Sequence, residues 1–497
     1  MEVNLCQVGY LRERYRTILS YTGLIVALCG VLILAPMISF LAWPGDARQA
    51  WGFIVPGLLM GGGGLTTWRL LRPKTDPVLS VPEGGVIILL SWLLVCLFSA
   101  WPFVAVTGLG FTQALFESVS GWTTTGLSVV DVTHACHAIL LWRSIMQLAG
   151  GAGFAIIMLS ALTGPTGPAL SVAEGREQLV PHVRQSAKLV LLIYSGCTVA
   201  GTIALRLAGM DWFDAVNHAF ATVSTGGFST RVESIGYWNS TAVEAVTVPL
   251  MLLSNLSFIS AWLLLRARVR AVTRNGEVRL MMVVLPLCIA LLFFLTTRSL
   301  YPSLGKGLRV AIFQAVTALT TTGFSTVGYG DWNSVGWLVL IVLMLIGGGT
   351  CSTAGGIKQY RVYLLWKSLV WQLHRSLLPR TAVTENPAWE AERRVFVTDT
   401  RLRQIGAFVF LYLLTFVCGT AVLAAYGYGL KEALFEFASA VGTVGLSVGV
   451  TSPSAPSGVL WTEIAGMFMG RLEFFVVLTS VARLIRDART MVHAPAK

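Results

Sequence analysis

The chain carries about ten separate runs of roughly 20 mostly apolar residues, each long enough as a helix to cross the ~30 Å hydrocarbon layer of a bilayer. They lie near 18–40, 51–71, 84–106, 137–161, 187–208, 242–265, 280–297, 335–357, 404–426 and 459–482. Few folds survive that pattern, because a soluble core cannot bury so many long apolar segments. Only 12% of the 497 residues are charged, where a soluble domain carries roughly 25%. The first run follows Arg12, Arg14 and Arg16, is too long for a signal-peptide core and precedes no small-residue cleavage site, so it reads as a retained span. The expected fold class is an all-α integral membrane protein.

Charge fixes the orientation. Of the 36 Lys and Arg, 27 fall on the segments that share a side with the N-terminus, seven on the opposite segments, and Arg143 and Arg471 within spans. Basic residues accumulate on the cytoplasmic side, so both termini are expected inside. The net charge of +12 is then mostly topogenic and headgroup-facing, which makes membrane lipid a partner. The basic residues sit in short clusters between apolar runs and form no continuous stripe, which argues against nucleic acid. The eight cysteines, from Cys6 to Cys418, are scattered singly without a CxxC; they read as small apolar packing residues.

A fourfold internal repeat organises the chain. FESVSGWTTTGLS (116–128), FATVSTGGFS (220–229), FQAVTALTTTGFS (313–325) and FEFASAVGTVGLS (435–447) resemble one another, and Gly126, Gly227, Gly323 and Gly445 recur at intervals of 101, 96 and 122 residues. Each unit has room for a span, a loop and another span. The expected division is a two-helix N-terminal addition (1–75) followed by pore repeats at 76–170, 171–270, 271–375 and 376–497. The roughly ten residues before each Thr/Gly run are too few to cross a bilayer and suit a half-membrane pore helix. The run itself is a poor helix former, and non-helical backbone at membrane depth is tolerated only where protein surrounds it or water fills a cavity beside it. Four runs around one axis meet that condition.

Thr and Gly suit a site that replaces the water around a monovalent cation. Rings of backbone carbonyls do this without a fixed charge that would trap the ion. Glycine admits the left-handed conformations that turn neighbouring carbonyls to one side, and threonine adds a hydroxyl on a stiff side chain. The expected filter is Thr123, Thr124, Thr125 and Gly126; Thr225, Gly226 and Gly227; Thr320, Thr321, Thr322 and Gly323; and Gly442, Thr443, Val444 and Gly445. The cation would be held at Thr124, Thr125, Thr225, Gly226, Thr321, Thr322, Thr443 and Val444.

The four units, the TTTGFS loop at 320–325 and GGGTCSTAGGIKQYR at 347–361 resemble the Trk/Ktr/HKT superfamily of potassium transporters. The two extra N-terminal spans are closer to the TrkH/TrkG type than to the shorter Ktr type. The resemblance covers nearly the whole chain and implies a potassium-translocating subunit of a bacterial cytoplasmic membrane, a homodimer, and a cytoplasmic nucleotide-binding partner of the TrkA type. Potassium would be the transported ion, with no organic cofactor. In that family a Gly in the first loop goes with potassium and a Ser with sodium; here the residue is Gly126. A sodium-selective or cation-coupled symporter of the same fold is the nearest alternative, and a transporter for an organic solute a more distant one.

Thr326 to Asp331 spells TVGYGD, the signature of a potassium-channel filter. The second repeat argues against that placement, since 227–240 and 323–334 share a leading GFST and a trailing WNS, which puts TVGYGD in a connection after the filter. Gly347, Gly348, Gly349, Thr350, Cys351, Ser352, Thr353, Ala354, Gly355 and Gly356 interrupt one span. Such a stretch is either a kinked helix or an unwound loop; the resemblance implies a gate beneath the filter. Arg471 is costly in lipid and should face the interior, paired with Glu473 or backbone carbonyls, or, as the resemblance suggests, touching the gate. Arg143 is expected to snorkel from the end of its span. Glu117 and Glu436 read equally as cation-concentrating groups at the entrance or as solvated carboxylates. No GxSxG, HExxH, P-loop or histidine cluster supports an enzyme.

Overall fold

The computed structural model describes residues 2–73, 79–153, 183–379, 385–390 and 393–492. The expected boundaries at 75/76 and 170/171, the far end of the 137–161 run, and Lys74, Arg176, His182 and His493 lie outside the described residues.

Helices α1 (Glu2–Leu32) and α2 (Trp51–Leu71) form the N-terminal addition. A glycine stripe lets their backbones touch: a Cβ on Gly30 would lie 2.4 Å from Gly61 N, and one on Gly64 2.4 Å from Gly23 O. Close approach of this kind is the usual route to helix association where lipid removes the hydrophobic drive. Arg14 then ties α1 to Glu83 at 3.1 Å, at the start of α3 (Val81–Ser99).

Four units follow, each a long helix, a short helix, an extended loop and a second apolar helix. The first continues from α3 with α4 (Phe111–Trp122) and α5 (His137–Ala152). The second is α6 (Val183–Leu207), α7 (Trp212–Val223), α8 (Thr241–Asn255) and α9 (Phe258–Leu265). The third is α10 (Gly276–Leu292), α11 (Leu304–Leu319), α12 (Ser334–Ile346) and, past the glycine-rich stretch, α13 (Gln359–Ser376). A hairpin of β1 (Pro387–Glu390) and β2 (Arg393–Phe396) leads to the fourth, α14 (Asp399–Ala425), α15 (Leu430–Val441), α16 (Ser457–Leu472) and α17 (Phe474–Val492).

The expected ten spans, of which only the one at 335–357 carries an expected interruption, are corrected in one respect. The helix after each loop stops early: α5 at Ala152, capped by Gly153 at φ 57°, α8 at Asn255, α12 at Ile346 and α16 at Leu472. Among the described residues five helices are long and apolar enough to cross a membrane, or six when α16 and α17, bent by 102°, count as one. The expected run at 459–482 therefore turns sharply at Glu473, whose φ is 59°. Residues that break helix at membrane depth need partners there.

Candidate functional site

The short helices α4, α7, α11 and α15 end the same way. In each, the third residue past the helix makes an i→i−5 backbone bond: Thr125 N to Ser120 O, Gly226 N to Ala221 O, Thr322 N to Thr317 O and Val444 N to Ser439 O, at 2.8–3.0 Å. The residue before it is left-handed: Thr124 (φ 55°), Thr225 (φ 52°), Thr321 (φ 53°) and Thr443 (φ 50°). A β-branched residue with positive φ is a conformational outlier, and four at one register mark strain the surroundings impose. Two residues on, Gly126, Gly227, Gly323 and Gly445 return to positive φ, between 74° and 96°.

These loops form a closed ring. A Cβ on Gly126 would lie 2.3 Å from the Gly226 carbonyl oxygen, on Gly227 2.2 Å from that of Thr322, on Gly323 1.8 Å from that of Val444, and on Gly445 2.2 Å from that of Thr125. Each unit thus abuts the next and the fourth abuts the first, so all four loops surround one axis. Glycine is required at each of these positions both by its φ and by the neighbouring carbonyl. The four glycines line a single outer cavity of about 520 Å³. The short helices point their C-terminal partial negative charge at the ring. Asp131 also faces the cavity; hydrogen bonds from Thr133 and His134 hold its carboxyl down at about 2, so it stays anionic in any ordinary medium.

Side chains behind the ring fix its shape. In the first and third units the outer threonines bond each other, Thr123 to Thr125 and Thr320 to Thr322, both at 2.8 Å. In the second unit Gly226 lacks a side chain, and Gln147 of α5 fills the space, donating to the Gly226 carbonyl and accepting the Phe228 N–H. Nine residues before each ring glycine stands a polar side chain that supports the segment after the ring. Glu117 accepts the Val129 N–H at 2.9 Å, His218 contacts the Ser229 hydroxyl at 2.9 Å, Gln314 accepts the Tyr329 hydroxyl at 2.6 Å, and Glu436 accepts the Val448 N–H at 2.9 Å. Sequence reasoning missed Gln147, His218 and Gln314. The last two sit at a fixed offset that the repeat register already held.

Three expectations about single residues are corrected. Glu117 and Glu436 are both fully buried, so neither is a solvated or entrance-facing carboxylate; backbone N–H groups that need an acceptor draw them inward. Arg143 does not snorkel. It is buried, bonds Glu117 at 2.7 Å and the Ser229 carbonyl at 2.9 Å, and lies over the Phe228 ring, joining the first and second units. Glu473 does not pair with Arg471; it pairs with Arg361 at 2.7 Å. TVGYGD lies outside the ring: Tyr329 is buried on Gln314, and Gly328 and Gly330 have no positive φ.

The stretch 347–358 is an unwound loop beneath the ring. It is held by Gly349 N to Asn255 O at 3.1 Å, Thr350 N to Glu277 at 2.9 Å and Gly348 N to Gly355 O at 3.1 Å, which supplies the partners the broken helix needs. Upward, Thr353 meets the Thr225 hydroxyl at 3.2 Å, Gly355 N donates to the Thr321 hydroxyl at 2.8 Å, and a Cβ on Gly355 would lie 2.0 Å from Thr443 Oγ1. The loop therefore touches three of the four left-handed threonines. Among the described residues the buried hydroxyls of Thr124 and Thr443 have no protein partner, and their oxygens are the donor chemistry an ion or water at this level would use. Arg471 donates to Thr353 O at 2.7 Å and Gly150 O at 2.6 Å, clamping the loop to the broken end of α5. Lys358 also reaches back to the Ala354 carbonyl. The space below, lined by Cys351, Lys358, Arg361 and Arg471, is only about 40 Å³, little more than a single water needs.

Residues 70–490 match the TrkH family, described as cation transport proteins. The chain belongs to the TrkH family. It is 31% identical over 93% of its length to the Trk system potassium uptake protein TrkH of Halomonas elongata, covering 97% of that protein, and 31% identical to TrkG of Escherichia coli K12 with the same coverage. Among solved structures, the potassium transporter TrkH from Vibrio parahaemolyticus superposes with a TM-score of 0.82 at 29% identity, over 93% of this chain and 98% of that one. This TrkH-family chain is accordingly a multi-pass membrane protein of the transporter class.

Proposed function

We propose that the chain takes up potassium through the ring of Thr123–Gly126, Thr225–Gly227, Thr320–Gly323 and Gly442–Gly445. The observation that carries this reading is the closed contact of each ring glycine with the next unit's carbonyl oxygen. Carbonyls so arranged replace the hydration shell of an alkali ion. The bound ion would sit at the levels of Thr124/Thr125, Thr225/Gly226, Thr321/Thr322 and Thr443/Val444. The loop from Gly347 to Gly356, clamped by Arg471, is the gate; it must move for the ion to pass, because it lies against the inner face of the ring. The membrane potential supplies about 2.3 kcal/mol per charge per 100 mV for inward movement.

The relatives named as Trk potassium uptake proteins support potassium as the ion, and the division into an N-terminal hairpin and four pore units follows the same reading. A homodimer in a bacterial cytoplasmic membrane, with both termini inside and a cytoplasmic TrkA-type nucleotide-binding subunit on the basic inner segments, completes it. Rubidium flux into proteoliposomes tests the proposal. The purified chain should carry rubidium in preference to sodium, and Gly126→Ser, whose Cβ meets the Gly226 carbonyl, should lower that preference by about tenfold. Absence of flux, or unchanged preference in the variant, would remove the assignment.

A further inference from the structure

The support behind the fourth loop differs from that behind the first in its partner. Glu117 is neutralised by Arg143 at 2.7 Å. At the matching place in the fourth unit, the side chain rising from α16 is a second acid, Glu463, fully buried like Glu436. Thr451 joins the two: its N–H donates to Glu436 at 3.1 Å, and its hydroxyl lies 3.1 and 3.2 Å from the Glu463 oxygens.

No basic side chain is available to them among the described residues. Residues 404–430 and 437–462 contain no Asp, Glu, His, Lys or Arg. Lys431, on the first turn of α15, engages the Trp332 carbonyl and the Trp337 ring. Arg471 is committed to the gate loop and α5, and Arg143 to Glu117. Two carboxylates sharing one buried threonine cannot both stay ionised at neutral pH, because each is stripped of water and each repels the other.

The hydrogen bonds decide which acid is neutral. Glu436 accepts the Ser447 hydroxyl at 2.6 Å and the N–H groups of Val448 and Thr451; three donors stabilise a carboxylate there. Glu463 has only the Thr451 hydroxyl, a group able to accept as well as donate. We propose that Glu463 is a protonated, neutral positioning residue behind the fourth filter loop, which keeps Glu436 as the carboxylate that fixes the segment from Ser447 to Thr451. The effect on ion preference rests on the filter reading above; the protonation itself does not.

Infrared spectra of the full-length chain in lipid at pH 7, compared with those of Glu463→Gln, give the direct test. The carbonyl band of a protonated carboxylic acid should be present in the natural chain and missing from the variant. Loss of a carboxylate band instead, or no change, would overturn the proposal. In flux measurements Glu463→Gln, an isostere of the neutral acid, should hold the rubidium-over-sodium ratio within about twofold, whereas Glu436→Gln, which sets an amide N–H against donors, should lower it by about tenfold. Equal damage from the two substitutions would also overturn it. If the natural chain carries no rubidium while the infrared result is as expected, the transport reading fails and the protonation of Glu463 stands.

Discussion

The half of the molecule that holds the ring repeats four times, and the half beneath it does not. Around the ring, four loops of three different sequences, TTTG, STGG, TTTG and GTVG, adopt one backbone with left-handed threonine and left-handed glycine at the same two places. Beneath it, the helices after the loops all stop early, and among the described residues only the third unit carries a loop that crosses under the ring. An ion on an axis must be met from every side, so coordination demands repetition. Blocking a pore demands a single obstruction, and one unit suffices for it. Glu277 and Asn255, which hold that loop in place, belong to the third and second units.

Substitutions can set the two halves against each other. The largest effect is expected for Arg143→Ala, which leaves Glu117 buried without its cation; loss of about 3–5 kcal/mol should appear as a lowered melting temperature in detergent. Gly323→Ala comes next. Its Cβ would lie 1.8 Å from the Val444 carbonyl oxygen at φ 81°, and rubidium flux should fall on the order of 100-fold through strain and clash in the ring. Below the ring the sign reverses: Arg471→Ala removes charge-assisted bonds to Thr353 and Gly150, and flux through the isolated chain should rise about tenfold with ion preference unchanged. A fall in preference would mean that the lower half shapes the filter after all. The smallest effect belongs to Tyr329→Phe in TVGYGD, where loss of the bond to Gln314 costs about 1 kcal/mol in a melt and leaves rubidium preference intact. A collapse of preference there would return the filter to 326–330.

Much of the ring was legible before any coordinates. Gly126, Gly227, Gly323 and Gly445 stood out because a repeat keeps residues that a backbone conformation requires, and positive φ beside a neighbouring carbonyl requires glycine. The position of TVGYGD outside the ring followed from the same register. The side chains behind the ring were less readable. Gln147 works across a unit boundary, in the space left by Gly226, and nothing in a single segment announces a residue that serves the next one. Glu117, Glu436 and Arg143 were visible as charged residues at interesting places, but whether a charge faces water or a backbone N–H depends on what packs over it. The early ends of α5, α8 and α16 were hidden for a related reason. Their apolar composition runs on past the break, and composition reports where a segment is comfortable rather than whether its helix continues.

By itself the sequence determined the membrane setting, the four similar segments, the register of their four glycines and the one glycine-rich interruption, because each follows from residue type and periodicity along a single chain. Only the tertiary structure decided that the loops close in cyclic order, that the interruption lies under three of the four threonines, and that Glu117 meets an arginine where Glu436 meets a second acid. Those facts depend on which groups face each other across units or across the loops within one unit, and a pairing of that kind is written in space, where desolvation and hydrogen bonding act, before it can be read along the chain.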